Sequence, residues 1–316
     1  MDWFALASYA DRGGVKPALV YDGALYDMAA AWRATSTRKV PEWVTAGLQT
    51  VFWHWDDLGD EIMKLGEKAA KPVGNKKLRP VSDGANKLAL PFRPRVLYCA
   101  GANYREHAQE MKSNVADKSS SRPYFFIKSV TSAIGPGETV RIPAKTEKPD
   151  WEVELGVVIG KPARNSSNRR ALDCVAGYTV VNDVTARDLN RRHDFASMFV
   201  TDWFGGKSHD TFAPIGPWVV PKAFVKNPND LDLSLTVSGN TMQDSNTEQM
   251  IFNVHDQIEY LTEVLRLMPG DIIATGTPSG VGMGRGIFLK PGDVMSATVE
   301  KIGTLTNPVA AAKGKK

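Results

Sequence analysis

Residues 150–160 read DWEVELGVVIG, and the interpretation of this run decides the architecture of most of the chain. Glu152 and Glu154 are separated by one residue, and the side-chain period of two on a strand turns both carboxylates to the same face. An isolated E-x-E suits a half-exposed strand, where charged and apolar residues alternate. The apolar LGVVI that follows points instead to a strand entering a core, where two ionised carboxylates need a cation or must take up a proton.

On both sides of this run the chain is dominated by strand-like segments rich in β-branched and aromatic residues: RVLYCAG, YFFIKSV, AGYTVVND, GPWVVP, LDLSLTVSG, DIIATGT and DVMSATVEKIG. Pro-Gly-acid tripeptides at 136–138, 269–271 and 291–293 supply turns beside them. Two helices are expected among these strands, one starting near Asn103 and one over 254–268, where Ile258, Leu261, Val264, Leu265 and Met268 follow a 3.6-residue period. The class is therefore mainly β, or α+β.

Residues 1–65 alternate short strand-like runs with amphipathic stretches and read as a small α/β module. From 66 to 94 the composition turns polar and Pro-containing, as in a surface connection, so the domain boundary is placed near residue 90. The expected division is 1–90 for the amino-terminal domain with its linker, 91–309 for the catalytic part and 310–316 for a disordered tail.

The 316 residues carry a net charge of +4, with Lys and Arg scattered among acids rather than gathered on one face, so no nucleic-acid partner is expected. No run reaches the ~18 apolar residues of a membrane span, and the opening MDWFALASYADRGG lacks the form of a secretory signal. Cys99 and Cys174 both sit in apolar stretches, as buried thiols of a reducing compartment do. A cytoplasmic protein is the expectation.

Asp183 closes GYTVVND ahead of TARDLNRR, which reads as the opening of a helix, so a helix cap is its plain alternative role. With Glu152 and Glu154 it makes three carboxylates with no neighbouring Cys or metal-spaced His pair, a set that favours hard Mg²⁺ or Mn²⁺ over zinc. In GANYREHAQEM, His107 and Glu110 are three apart on one helical face, where the carboxylate can orient the imidazole as a base on water. Asn103 and Glu106 have capping-box spacing. Other motifs fail on spacing: Gly206-Lys207-Ser208 lacks the first glycine of a phosphate loop, which falls on Thr201, and the glycines at 280–286 never fit G-x-G-x-x-G.

The ordered blocks GANYREHAQE, PYFFIKS, DWEVELGVVIG, GYTVVNDVTARDLNRR, GKSHDTFAPIGP and LMPGDIIATGTPSGVGMGR resemble the fumarylacetoacetate hydrolase (FAA hydrolase) family from about 95 to 307. The resemblance implies a rolled mixed-sheet catalytic domain, usually a homodimer, preceded here by an extra amino-terminal domain. It implies that Glu152, Glu154 and Asp183 bind Mg²⁺ or Mn²⁺, which chelates a small anionic 2-oxo acid. By the same resemblance His107 and Glu110 activate water on a lid that includes 111–123, and Lys207 stabilises developing negative charge. Arg187 and Thr277 fall near the substrate carboxylate, Lys128 close to the site, and Asn190 where many members have a glutamine that reaches substrate. Ser129 stands where many have proline.

The expected activity is hydrolysis of a carbon–carbon bond in a 2,4-dioxo acid of the acylpyruvate or fumarylpyruvate type. The alternatives are an oxaloacetate-type decarboxylase, an isomerase or hydratase of dienoic oxo acids, and a dicarboxylate-binding protein without activity.

Overall fold

The computed structural model describes residues 3–81, 88–111, 117–192 and 199–312. Its largest sheet runs in spatial order through Ala24–Asp27, Gly14–Tyr21, Ala5–Asp11, Ala213–Pro221, Val175–Asn182, Val153–Ile159, Ile272–Ala274, Leu97–Gly101 and Tyr124–Lys128. A second sheet is ordered Asn240–Asn246, Asp232–Val237, Val294–Val299, Gly303–Ala311, Val140–Ile142. The strand Val153–Ile159 is central, antiparallel to both its neighbours and buried along its whole length. Val153, Leu155, Val157 and Ile159 share an apolar cluster with Leu233, Leu235, Val299 and Leu305 of the second sheet. Val158, on the opposite face, packs with Phe52 and Trp55 of the amino-terminal helices. The period of two expected from the sequence is thus realised, and the carboxylates stand at the end of the face that Val158 shares.

The three Pro-Gly-acid turns form as expected, with Gly137, Gly270 and Gly292 at positive φ. The amino-terminal stretch does form strands and helices, but they do not make a sheet of their own. Leu6 is paired with Val219, so one sheet runs across the boundary placed near residue 90. Gly160 lies so close to Trp55 that a Cβ would stand 2.4 Å from the indole. A hairpin's outer edge carries no mark of the distant strand that will cover it, which is why the sequence read as a separate module.

Four local expectations need correction. Residues 66–74 are not linker, because the helix Trp55–Gly74 continues through them with Ile62, Leu65 and Ala69 buried on one side. The later helix spans only Val254–Val264, held at its start by a capping box of Asn253 and Asp256; at Leu265 the backbone turns extended, so Met268 lies outside it. TARDLNRR does not open a helix: Thr185–Ala186 pairs with Pro149–Asp150, which commits its backbone to a small ribbon. The tail begins later than 310, since Val309–Ala311 pairs parallel with Val140–Ile142; residues 313–316 lie outside the described residues. Both cysteines are buried and unpaired, and no helix among the described residues is long and apolar enough to cross a membrane.

Because sheet and core are shared between the two halves, Leu6→Ala should cost about 2–5 kcal/mol and lower a single calorimetric unfolding transition. Two transitions, only one of them shifted, would instead mark an amino-terminal unit that folds independently.

Candidate metal and active site

Glu154 is in the central strand, Glu152 just precedes it, and Asp183 follows the neighbouring strand Val175–Asn182. The antiparallel register sets Val153 opposite Asn182, and Asp183 N–H donates to the Glu152 carbonyl at 2.9 Å. This brings one oxygen of each of the three carboxylates within 4.8 Å of the others, all of them buried. Asp183 is therefore not a helix cap.

Lysines answer part of the repulsion. Lys207 Nζ donates to Glu152 Oε2 at 2.8 Å and to Asp183 Oδ2 at 2.7 Å. Lys128 Nζ donates to Asp183 Oδ1 and to the carbonyls of Val184 and Phe212. Lys207 has three protein acceptors as well, the third being the Asp183 carbonyl at 3.3 Å, but it lines the cavity beside the triad. Lys128, expected close to the site, does not line that cavity and fixes Asp183. Burial alone would raise the Glu152 carboxyl, but the charges of Lys207 and Arg187 pull it down to about 2. Burial opposes the charge on Lys207, yet Asp183 and Glu152 raise its pKa and keep it protonated.

Glu154 has no such partner. Gly276 N–H donates to its Oε2 at 2.7 Å, whereas its Oε1 is buried without a hydrogen-bond partner. Burial, then the charges of Asp183 and Glu152, push this carboxyl well above its usual range. A buried acceptor left unmatched, in an all-oxygen set without Cys or His, fits a hard divalent cation with Glu152, Glu154 and Asp183 as its holders.

A small cavity beside the triad is lined by Glu152, His107, Arg187, Lys207 and Thr277, joined by Phe126 and Trp203. His107 Nδ1 is 3.4 Å from Glu110 Oε2 across one turn of Arg105–Glu110, the same-face pair expected from the sequence. Gly280 N–H holds Glu110 Oε1 at 3.0 Å. Burial works against ionisation of Glu110, but His107 and the Gly280 N–H outweigh it and lower the pKa. Thr277 Oγ1 donates to the Val153 carbonyl at 3.0 Å and accepts from Gln243 at 2.8 Å. Asn190 is not among the residues lining the cavity: its Oδ1 is buried against Gly206, where a Cβ would stand 1.3 Å away. Its Oδ1 has no hydrogen-bond partner there. Of the lid expected over 111–123, residues 112–116 lie outside the described residues.

The capping box of Asn103 and Glu106 does not form. Asn103 donates to the carbonyls of Phe252 and Thr275, and Glu106 accepts from Ser279. Sequence reading also passed over Asp150, which is fully buried and accepts from Arg187 Nε at 2.7 Å and from the N–H groups of Gly282 and Met283. Arg187 Nη2 then reaches Glu152 Oε1 at 2.6 Å. The alternation 150, 152, 154 was the available signal.

A rolled β-rich core with a buried acidic triad facing a small polar cavity defines the class, and sequence comparison identifies the lineage. The family described as "Fumarylacetoacetate (FAA) hydrolase C-terminal" matches residues 96–310, and this chain belongs to it. A 2,4-didehydro-3-deoxy-L-rhamnonate hydrolase from Sphingomonas sp. (strain SKA58) is 42% identical over 235 residues, covering 73% of this chain and 79% of the relative. A mitochondrial oxaloacetate tautomerase of Homo sapiens is 39% identical over 224 residues, covering 70% of this chain and 68% of its own. A fumarylacetoacetate hydrolase from psychrophilic Exiguobacterium antarcticum superposes with a TM-score of 0.79 at 29% identity, covering 98% of this chain and 100% of that one. Members of this family are enzymes and commonly bind a divalent metal.

Metal binding should release a proton, because Glu154 holds one above the usual carboxylate range and must lose it to become a ligand. Affinity for Mg²⁺ or Mn²⁺ should accordingly fall as the pH is lowered. Calorimetry in buffers of different ionisation heat measures the proton count, and Glu154→Gln should weaken binding by about 100-fold or more. Unchanged affinity in that variant would remove the metal assignment.

Proposed function

We propose that this chain is a Mg²⁺- or Mn²⁺-dependent hydrolase that cleaves a carbon–carbon bond of a 2,4-dioxo acid, yielding pyruvate and a carboxylic acid. The observation that carries the reading is the His107–Glu110 pair bordering the same cavity as the triad. Polarising a 2-oxo acid needs only an electrophile, whereas hydrolysis also needs a base to take a proton from water. The 42% identical relative is named as a hydrolase of a compound that is didehydro at carbons 2 and 4, which agrees with such a substrate.

In this reading Arg187 receives the carboxylate of the acid, and Thr277, whose hydroxyl proton goes to the Val153 carbonyl, borders it. Glu152, Glu154 and Asp183 hold the cation, which when bound supplies Lewis acidity toward the 2-oxo acid. His107, oriented by ionised Glu110, takes a proton from water as the hydroxyl adds to the distal carbonyl carbon. The bond between carbons 3 and 4 then breaks with its electron pair left on carbon 3, which gains a proton and becomes the methyl of pyruvate. Lys207, held protonated, stands beside the oxygen on which negative charge builds.

With acetylpyruvate and Mg²⁺ the purified protein should form pyruvate and acetate in equal amounts, and His107→Ala should lower kcat by about 10²–10⁴-fold. Carbon dioxide released from oxaloacetate without carboxylic acid from any acylpyruvate would overturn the hydrolase in favour of a decarboxylase. Keto–enol interconversion with no bond cleavage would favour a tautomerase.

A further inference from the structure

We infer that Trp203, backed by Phe126, is the wall that selects the distal acyl group of the substrate, and that it favours a short apolar one. The inference rests on the 2,4-dioxo acid reading above.

The cavity is chemically two-sided. Glu152, Arg187, Lys207 and Thr277 supply its ionic and hydrogen-bonding groups, and the rings of Phe126 and Trp203 supply an apolar wall. A 2-oxo acid head, with a carboxylate and a keto oxygen, is satisfied only on the ionic side. The acyl portion beyond the breaking bond is left to the rings. These two rings lie 4.8 Å apart at 14°, one from the strand Tyr124–Lys128 and the other from the first position of the helix Trp203–Lys207. Asp202 caps that helix by accepting from Gly205 N–H at 2.7 Å, and Tyr124, on the same strand as Phe126, meets the indole at a tilt with centroids 5.9 Å apart. The indole is therefore held by two rings of one strand and by the capped start of its own helix.

The free space is about 40 Å³. A cavity this small leaves little room once a 2-oxo acid head occupies the ionic side, so a bulky acyl group is pressed against the Trp203 indole. Trp203 also shares its short helix with Lys207, whose ammonium lies 5.3 Å from the centre of the Phe126 ring. Loss of the indole acting only through Lys207 would slow all substrates by one common factor, whereas a selecting wall changes their ratio.

The test compares acetylpyruvate with benzoylpyruvate on the Mg²⁺-loaded full chain, by kcat/KM and by calorimetric Kd. Wild type should favour acetylpyruvate, Trp203→Ala should reduce that preference by about tenfold, mainly through KM, and Trp203→Phe should retain most of it. An equal loss on both compounds, or an unchanged ratio, overturns the selecting wall even though hydrolysis itself stands. If wild type binds both compounds but cleaves neither, the hydrolase reading fails, while the ratio of Kd values still decides for or against Trp203. Absence of binding to either compound overturns both.

Discussion

Three carboxylates crowded into a water-poor interior impose the constraint on which the remainder of this structure depends. At the 4.8 Å limit, two full charges repel by roughly 3–4 kcal/mol at an effective dielectric of 20. With Asp150 included, four buried carboxylates meet three cations, Arg187, Lys207 and Lys128. One negative charge is left in excess, and Glu154 is the member that none of the three cations touches. A divalent cation would turn this small negative excess into a small excess of positive charge, which suits an anionic acid. The same imbalance pushes the Glu154 carboxyl up while the cations beside Glu152 pull that one down.

The backbone bears the cost of assembling this cluster. Only a strand buried on both faces and paired antiparallel to its neighbour brings the end of Val175–Asn182 beside the start of Val153–Ile159. The glycines around 280–286, which fail as a nucleotide loop, have a different physical use. Gly282 N–H meets Asp150 at 2.6 Å, and a Cβ on Gly284 would stand 2.3 Å from the Glu110 carboxyl carbon. Small residues there let two carboxylates approach backbone N–H groups closely, one anchoring Arg187 and the other orienting His107. Site and fold are therefore supported by the same segment.

Much of this was legible in the chain itself. Same-face carboxylates at Glu152 and Glu154, the one-turn pair His107 and Glu110, the turns at 136–138, 269–271 and 291–293, and the strand-rich character all depend on periods and propensities that act between near neighbours. These are short-range properties, and residue order specifies them directly. Family likeness extended the reading to Asp183 and Lys207, whose meeting no spacing rule expresses.

What tertiary structure alone decided is pairing at a distance. It joined Leu6 to Val219 and so merged an apparent module into one sheet. It spent Lys128 on Asp183, turned Asn190 against Gly206, and placed Asp150 beneath Arg187. It also stood Trp203 against Phe126 at the cavity. A lysine reads the same in sequence whether it faces substrate or a buried carboxylate, because the difference lies in which acceptors the fold carries to within 3 Å of it. The residue types were set by sequence, and the charge each one answers was set by the packing.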